Sequence, residues 1–110
     1  MNSGSQDDIL DAVYQIILDR KQHPTGQSYV AALYAKGLDK ILGKIGEEAT
    51  EVAVAGKGGD PEQVVCEAAD LIFHLLVLLG YYDLPPERVY AQLRRRFGTS
   101  GLVEKANREK

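Results

Sequence analysis

A glycine-rich break between two long helical patterns constrains the fold of this chain most. Residues 56–59 read Gly-Lys-Gly-Gly, and residues 60–63 read Asp-Pro-Glu-Gln. Asp at a cap, Pro at the first helical position and Gln three residues after the cap are a strong start signal for a helix. The chain is therefore expected to reverse direction here, so that residues at equal distances from the turn face each other.

The remaining sequence also predicts helices separated by short turns. Apolar residues recur at helical intervals, and Ser28 and Gly37 are suited to begin and end a short helix. No alternation with a period of two is sustained, so the fold is predicted to be an all-α bundle of about five helices. The expected helices run from Ile9 to about Gln22, from Tyr29 to Lys36, from near Leu38 to the glycine-rich break, from Pro61 to about Leu79, and from the Pro85-Pro86 pair to Phe97.

The third and fourth helices have different expected surroundings. One side of the third is apolar, with the acidic residues on its other side, and the fourth is apolar almost all the way round, as expected of a core helix packed on several sides. Cys66 lies in this apolar stretch and is expected to behave as a small hydrophobe. The apolar side of the third helix comprises Leu38, Ile41, Leu42, Ile45, Ala49, Val52 and Ala53.

Length and composition predict one domain over residues 1–110, with about the first five disordered. At 110 residues and 45% apolar the chain can bury a core, but it is small enough that a homodimer is expected. A net charge of −3 does not indicate a nucleic-acid partner. The N-terminal residues do not resemble a signal peptide, and a single cysteine fits the reducing cytoplasm, so a cytoplasmic location is expected. The apolar run 71–79 is too short to span a membrane.

Two acidic pairs flank the break at helical spacing. Glu48 and Glu51 precede it, Glu67 and Asp70 follow it, and Glu47 adjoins the first pair. Counting outward from the turn places Glu51 opposite Glu67, and Glu48 and Asp70 one turn further along. Four converging carboxylates repel one another unless cations neutralise them, and such oxygen ligands suit Mg²⁺ or Mn²⁺ with a phosphate substrate.

The alternative for these acids is a solvated helix face. It suits Glu47, Glu48 and Glu51, but burying Glu67 and Asp70 unpaired in an apolar helix would be costly, which favours a metal cluster. The other polar residues also have two interpretations. Lys44 either pairs with Glu48 or meets a phosphate, with Lys40 one turn further out. His74 is either a hydrogen-bonded core residue or a ligand, and because Mg²⁺ has little preference for nitrogen it is expected to lie behind the ligands. Arg94, Arg95 and Arg96 either form a solvated face or bind a terminal phosphate. Gly43 and Gly46 suggest close approach of another helix or of substrate.

The acidic segments resemble a known signature. Residues 44–52 (Lys-Ile-Gly-Glu-Glu-Ala-Thr-Glu-Val) and 67–76 (Glu-Ala-Ala-Asp-Leu-Ile-Phe-His-Leu-Leu) are similar to the EExxE…ExxD pattern of the all-α, MazG-like nucleotide pyrophosphohydrolases. Ser28-Tyr29, residues 37–41 (Gly-Leu-Asp-Lys-Ile) and residues 93–98 (Leu-Arg-Arg-Arg-Phe-Gly) narrow the resemblance to the phosphoribosyl-ATP pyrophosphatase family of histidine biosynthesis. The resemblance covers nearly the whole chain.

This resemblance implies Mg²⁺-dependent hydrolysis of phosphoribosyl-ATP to phosphoribosyl-AMP and pyrophosphate. Carried over by position, it makes Glu48, Glu51, Glu67 and Asp70 metal ligands. Glu47 and Glu48 are then the catalytic acids, with Glu47 a further ligand or the group that orients the attacking water, and Lys40 and Lys44 are the substrate-binding cations. Gly43 stands where Lys is expected in many relatives, so one phosphate contact is expected to be missing.

Two other functions stay open at the level of sequence. The first keeps the chemistry but changes the substrate, as in a house-cleaning nucleoside triphosphate pyrophosphatase. The second is a non-catalytic helical dimerisation module whose acids only solvate a surface. The number of metal ions, the acid that activates water and any contribution from a partner subunit do not follow from the sequence.

Overall fold

The computed structural model describes residues 9–98, and all its regular elements are helices. The predicted all-α bundle of five helices is confirmed, and residues 9–98 contain no strand. The expected disorder before residue 6 lies outside the described residues. The helices are α1 (Ile9–Gln22), α2 (Tyr29–Lys36), α3 (Leu38–Gly58), α4 (Pro61–Tyr81) and α5 (Pro86–Phe97).

Local signals at the helix ends act as the sequence predicts. The Ser28 side chain accepts a hydrogen bond from the Ala31 backbone N–H at 3.0 Å, which caps α2. The Asp60 side chain likewise accepts from the Glu62 backbone N–H at 3.0 Å and caps α4. Gly37 ends α2 at a φ of 100°, a conformation that costs glycine little.

The reversal between α3 and α4 is shorter than the glycine-rich sequence suggests. Residues 56–58 continue α3, and Gly59 alone takes the left-handed conformation, with a φ of 84° and its N–H bonded to the Ala55 carbonyl. Asp60 follows at once as the cap of α4. The two longest helices therefore form a tight antiparallel hairpin.

A small apolar core holds α1 and α2 against this hairpin. Ile17, Leu33, Ile41 and Val77 are almost completely buried. The Tyr34 hydroxyl donates to the Val77 carbonyl at 2.6 Å and joins α2 to α4. The complete buried cluster consists of Tyr14, Ile17, Val30, Leu33, Ile41, Leu76 and Val77.

The face that α3 turns inward differs from the predicted one. Glu48 is buried, whereas Leu42, Ala49 and Ala53, which were expected on the packed side, are exposed. The helix is rotated so that Ile41 and Glu48 point inward. Lys44, whose Nζ atom lies 3.6 Å from Glu48 Oε2, offsets part of the cost of burying this acid.

Helix α4 is also less enclosed than a core helix should be. Val65 is 62% exposed, Ile72 and Leu75 are each 42% exposed, and Cys66 is exposed. The expectation of packing on several sides is wrong for the single chain, since only its second half contacts the core closely. By length and composition, α4 is also the one helix within residues 9–98 that could cross a membrane, which is weak evidence because apolar core helices share both properties.

The glycines inside α3 do not mark a close helix contact. A Cβ atom built at Gly43 or Gly46 meets nothing within 4 Å. The interpretation as a helix contact is therefore wrong for this chain alone. Both positions are exposed, so approach by a substrate stays a prediction.

Candidate metal centre

Three carboxylates converge across the α3–α4 hairpin. Glu48 extends from α3, and Glu67 and Asp70 extend from α4, with one oxygen from each lying within 4.8 Å of the others. The three differ in exposure: Glu48 is buried, Glu67 half-buried and Asp70 exposed. The cluster thus has a closed inner side and an open outer side.

The chemistry of these oxygens fits a hard divalent cation. Glu48 Oε1 and Glu67 Oε1 are both buried and have no hydrogen-bond partner among the described residues. Two ligands on opposite sides of Mg²⁺ lie about 4.2 Å apart, since each bond is about 2.1 Å long. The three oxygens lie within 4.8 Å of one another, so a single cation could bind all three after small side-chain rotations. A cation here would satisfy two buried acceptors and reduce the repulsion among three negative charges.

Glu51 lies beside this cluster but outside it. Its position on α3 is exposed, and with Glu67 it lines an open groove of about 300 Å³. The groove continues between α3 and α4 past Val54, Ala55 and Gln63. Glu51 and Glu67 thus border the same groove, as residues on facing helices would, while the role of Glu51 as a ligand stays a prediction.

Lys44 places a positive charge next to the acids. Its Nζ atom lies 3.3 Å from Glu47 Oε1 and 3.6 Å from Glu48 Oε2. The hydrogen bond to Glu47 raises the pKa of the ammonium, burial opposes this, and the charges of Tyr29, Glu47 and Glu48 add to the rise. Lys44 is therefore a stable cation on the edge of the cluster. Both predicted interpretations fit this placement, since an ammonium that pairs with Glu48 is also within reach of a phosphate held by the acids.

Glu47 and Lys40 lie further from the three converging oxygens. The Glu47 side chain is 60% exposed and pairs with Lys44, which also lies beside Glu48. Lys40 is exposed at the start of α3. Their roles in orienting water and binding substrate stay predictions.

A buried histidine lies directly behind the exposed acid of α4. His74 Nδ1 lies 2.8 Å from the Asp70 carbonyl oxygen, and His74 Nε2 lies 2.8 Å from the Tyr29 hydroxyl. His74 is only 5% exposed, so it is a hydrogen-bonded core residue. Tyr29 is the residue that sequence reasoning missed. It lies 45 positions from His74. The sequence marks Tyr29 only by its place after a helix cap and within the family resemblance, neither of which assigns it a role in the site.

The three arginines near the end of α5 are exposed side by side in its last turn. Arg94 pairs with Glu87 and Arg95 contacts Gln92, both on the same helix. These contacts fit the solvated-face interpretation. Residues 9–98 thus define a class: an all-α protein whose central helical hairpin carries a carboxylate cluster suited to a hard cation.

Comparison with known proteins gives this class a family. Residues 10–97 match the model of the family described as phosphoribosyl-ATP pyrophosphohydrolase. The chain is 64% identical to the phosphoribosyl-ATP pyrophosphatase of Geobacter metallireducens, covering 97% of this chain and 98% of that protein. It is 63% identical to the protein of that name from Geobacter sulfurreducens, over 96% and 97% of the two chains. The chain is 53% identical to the phosphoribosyl-ATP pyrophosphatase of Methylococcus capsulatus, covering 93% of this chain and 97% of that protein.

The chain belongs to the phosphoribosyl-ATP pyrophosphohydrolase family, and it is a hydrolase. The resemblance drawn from the acidic signature is thereby confirmed.

Proposed function

We propose that this chain hydrolyses phosphoribosyl-ATP to phosphoribosyl-AMP and pyrophosphate with the help of Mg²⁺, as a cytoplasmic step of histidine biosynthesis. Relatives named for this activity align with nearly the whole chain. The observation that carries the proposal is the meeting of Glu48, Glu67 and Asp70 across the hairpin. A cluster of this kind supports chemistry at a polyphosphate and has no evident use in a purely structural helix pair.

The chain's own residues supply most of the mechanism. Glu48, Glu67 and Asp70 would hold the cation, with Mn²⁺ as a possible substitute for Mg²⁺. The cation would act as a Lewis acid that polarises the phosphoryl group and acidifies the attacking water. Glu47, which is exposed and adjoins Glu48 in sequence, would accept the proton of that water as a general base.

The leaving pyrophosphate gains negative charge, which must be neutralised for the bond between the α- and β-phosphates to break. Lys44 is held at the edge of the cluster and remains charged, so it suits this role. Glu51 borders the groove next to Glu67 and would serve as a further ligand of the cation. Lys40, further out on α3, would contact the more distant part of the substrate.

A substrate panel tests this proposal. Release of pyrophosphate from phosphoribosyl-ATP, ATP, dUTP and dCTP should be compared at equal Mg²⁺ concentration. We expect kcat/KM for phosphoribosyl-ATP to exceed that for the other nucleotides by at least about a hundredfold, because selective hydrogen bonding discriminates strongly. Preference for a deoxynucleoside triphosphate would indicate a house-cleaning enzyme instead. No release from any of the four would favour the non-catalytic module.

We also propose that the enzyme acts as a homodimer. An apolar groove of about 300 Å³ lies between α4 and α5, with Ile72 and Leu75 on one side and Val89 and Leu93 on the other. All four residues are at least 42% exposed in the single chain. A second copy of the chain could bury this surface, which would enlarge a core that is small for one subunit.

A further inference from the structure

We infer that Tyr29 and His74 form a positioning pair that holds the turn of α4 carrying Asp70. This inference rests on the proposed function, because it assigns a role in the same site. Neither residue belongs to the converging carboxylates. Both would act by positioning the backbone of Asp70 and not by touching the reacting atoms.

The Asp70 carbonyl oxygen fixes the directions of the hydrogen bonds made by His74 and Tyr29. The Asp70 carbonyl oxygen can only accept, so His74 Nδ1 must carry a proton and donate to it. In the neutral imidazole, Nε2 is then an acceptor and receives the Tyr29 O–H. The resulting chain runs from α2 through the imidazole to the backbone of the exposed acid.

The position of His74 along α4 shows why these hydrogen bonds matter for holding Asp70. No residue of α4 before His74 is buried, whereas Leu76, Val77 and Gly80 beyond it are. The turn that carries Glu67 and Asp70 therefore lies at the edge of the core. Tyr29 anchors this part of α4 to α2, since its ring also packs against Phe73 at a centroid distance of 6.3 Å.

Matched tyrosine variants separate positioning from stability. Tyr29→Phe removes the hydroxyl bonded to His74, and Tyr34→Phe removes another hydroxyl that joins the same two helices at Val77, away from the acids. His74→Asn can retain an N–H donor near the Asp70 carbonyl but loses the partner of Tyr29. The readouts are the Kd for Mn²⁺ by calorimetry without substrate, and kcat and KM for phosphoribosyl-ATP.

We expect Tyr29→Phe to weaken Mn²⁺ binding by about tenfold, the size typical of groups behind metal ligands, and to lower kcat more than it raises KM. Tyr34→Phe should stay within about twofold of the wild type in both readouts at temperatures where each variant is folded. The double variant Tyr29→Phe/His74→Asn should bind Mn²⁺ no more weakly than the single variant with the larger loss. The losses should not add, because the two residues act as one unit.

Equal effects of Tyr29→Phe and Tyr34→Phe would overturn the inference, as would additive losses in the double variant. If Tyr29→Phe is unfolded, His74→Asn with a Kd within about twofold of wild type overturns it equally. A wild-type chain that binds Mn²⁺ but leaves phosphoribosyl-ATP intact would reject the proposed function alone, because the Mn²⁺ measurements would still test the positioning pair.

Discussion

Two buried carboxylate oxygens at single residues determine how the site can be interpreted. Glu48 Oε1 and Glu67 Oε1 lack hydrogen-bond partners within residues 9–98, although each is inaccessible to solvent. Leaving acceptors in this state is costly, and it is rare in folded proteins except where function requires it. These two oxygens therefore fit the proposed cation site better than they fit a solvated surface.

The Tyr34 hydroxyl leads to a prediction about alkaline stability. Burial raises the pKa of Tyr34 well above its ordinary value of about 10, with smaller contributions from Tyr14 and Asp83. The folded state therefore favours the neutral phenol. Its contribution to stability is complete below pH 10 and is lost as the pH rises further, because the unfolded chain then releases the proton first.

Tyr34→Phe should destabilise the fold by about 1 kcal/mol at pH 7, since it removes the bond to the Val77 carbonyl. Above pH 10 the wild type should lose stability more steeply than the variant, so the difference should shrink. Urea unfolding between pH 7 and 11 measures both. Parallel pH profiles for the two proteins would show that Tyr34 does not titrate with unfolding.

At the scale of helices, the ends were more predictable than the faces. Ser28, Gly37 and Asp60 act locally, so the sequence was enough to place the boundaries they create. The direction in which α3 faces depends instead on what packs against it, and Glu48 turned inward where Ala49 was expected. Spacing predicted that acids of the two helices would meet, because a tight hairpin aligns residues by their distance from the turn.

Contacts between segments far apart in the chain could not be predicted from the sequence. Tyr29 joins His74 across 45 positions, and no local pattern marks that pair. The exposure of Val65 and Cys66 was also missed, since an apolar helix looks the same whether its own chain or another covers it.

The α3–α4 reversal provides a prediction at this scale. Gly59→Ala should destabilise the fold by about 1 to 2 kcal/mol, because its φ of 84° strains any residue with a Cβ atom. Gly56→Ala is the matched control: it lies inside α3 with nothing within 4 Å, so it should stabilise by up to about 1 kcal/mol. Thermal unfolding of both variants checks this, and a Gly59→Ala protein as stable as Gly56→Ala would contradict the assigned turn.

At the scale of the whole molecule, the exposed apolar groove between α4 and α5 predicts self-association. Sedimentation equilibrium should show a dimer of the wild-type chain. Leu93→Glu should shift it toward monomer, because a charge would be buried in the groove. Ile16→Glu places the same charge on a similarly exposed residue of α1 outside the groove and should remain dimeric. A monomeric wild type would rule out the proposed homodimer.

The most direct test of the account is pyrophosphate release from phosphoribosyl-ATP as Mg²⁺ is titrated from zero. Because Glu48, Glu67 and Asp70 form the proposed metal site, the wild type should be inactive in chelator and should respond to Mg²⁺ with saturation. Asp70→Asn should lower kcat/KM by about a hundredfold or more, whereas Glu62→Gln, the same charge change in the first turn of α4, should have little effect. Release that persists without a divalent cation, or equal activity of the two variants, would contradict a metal-dependent site between α3 and α4.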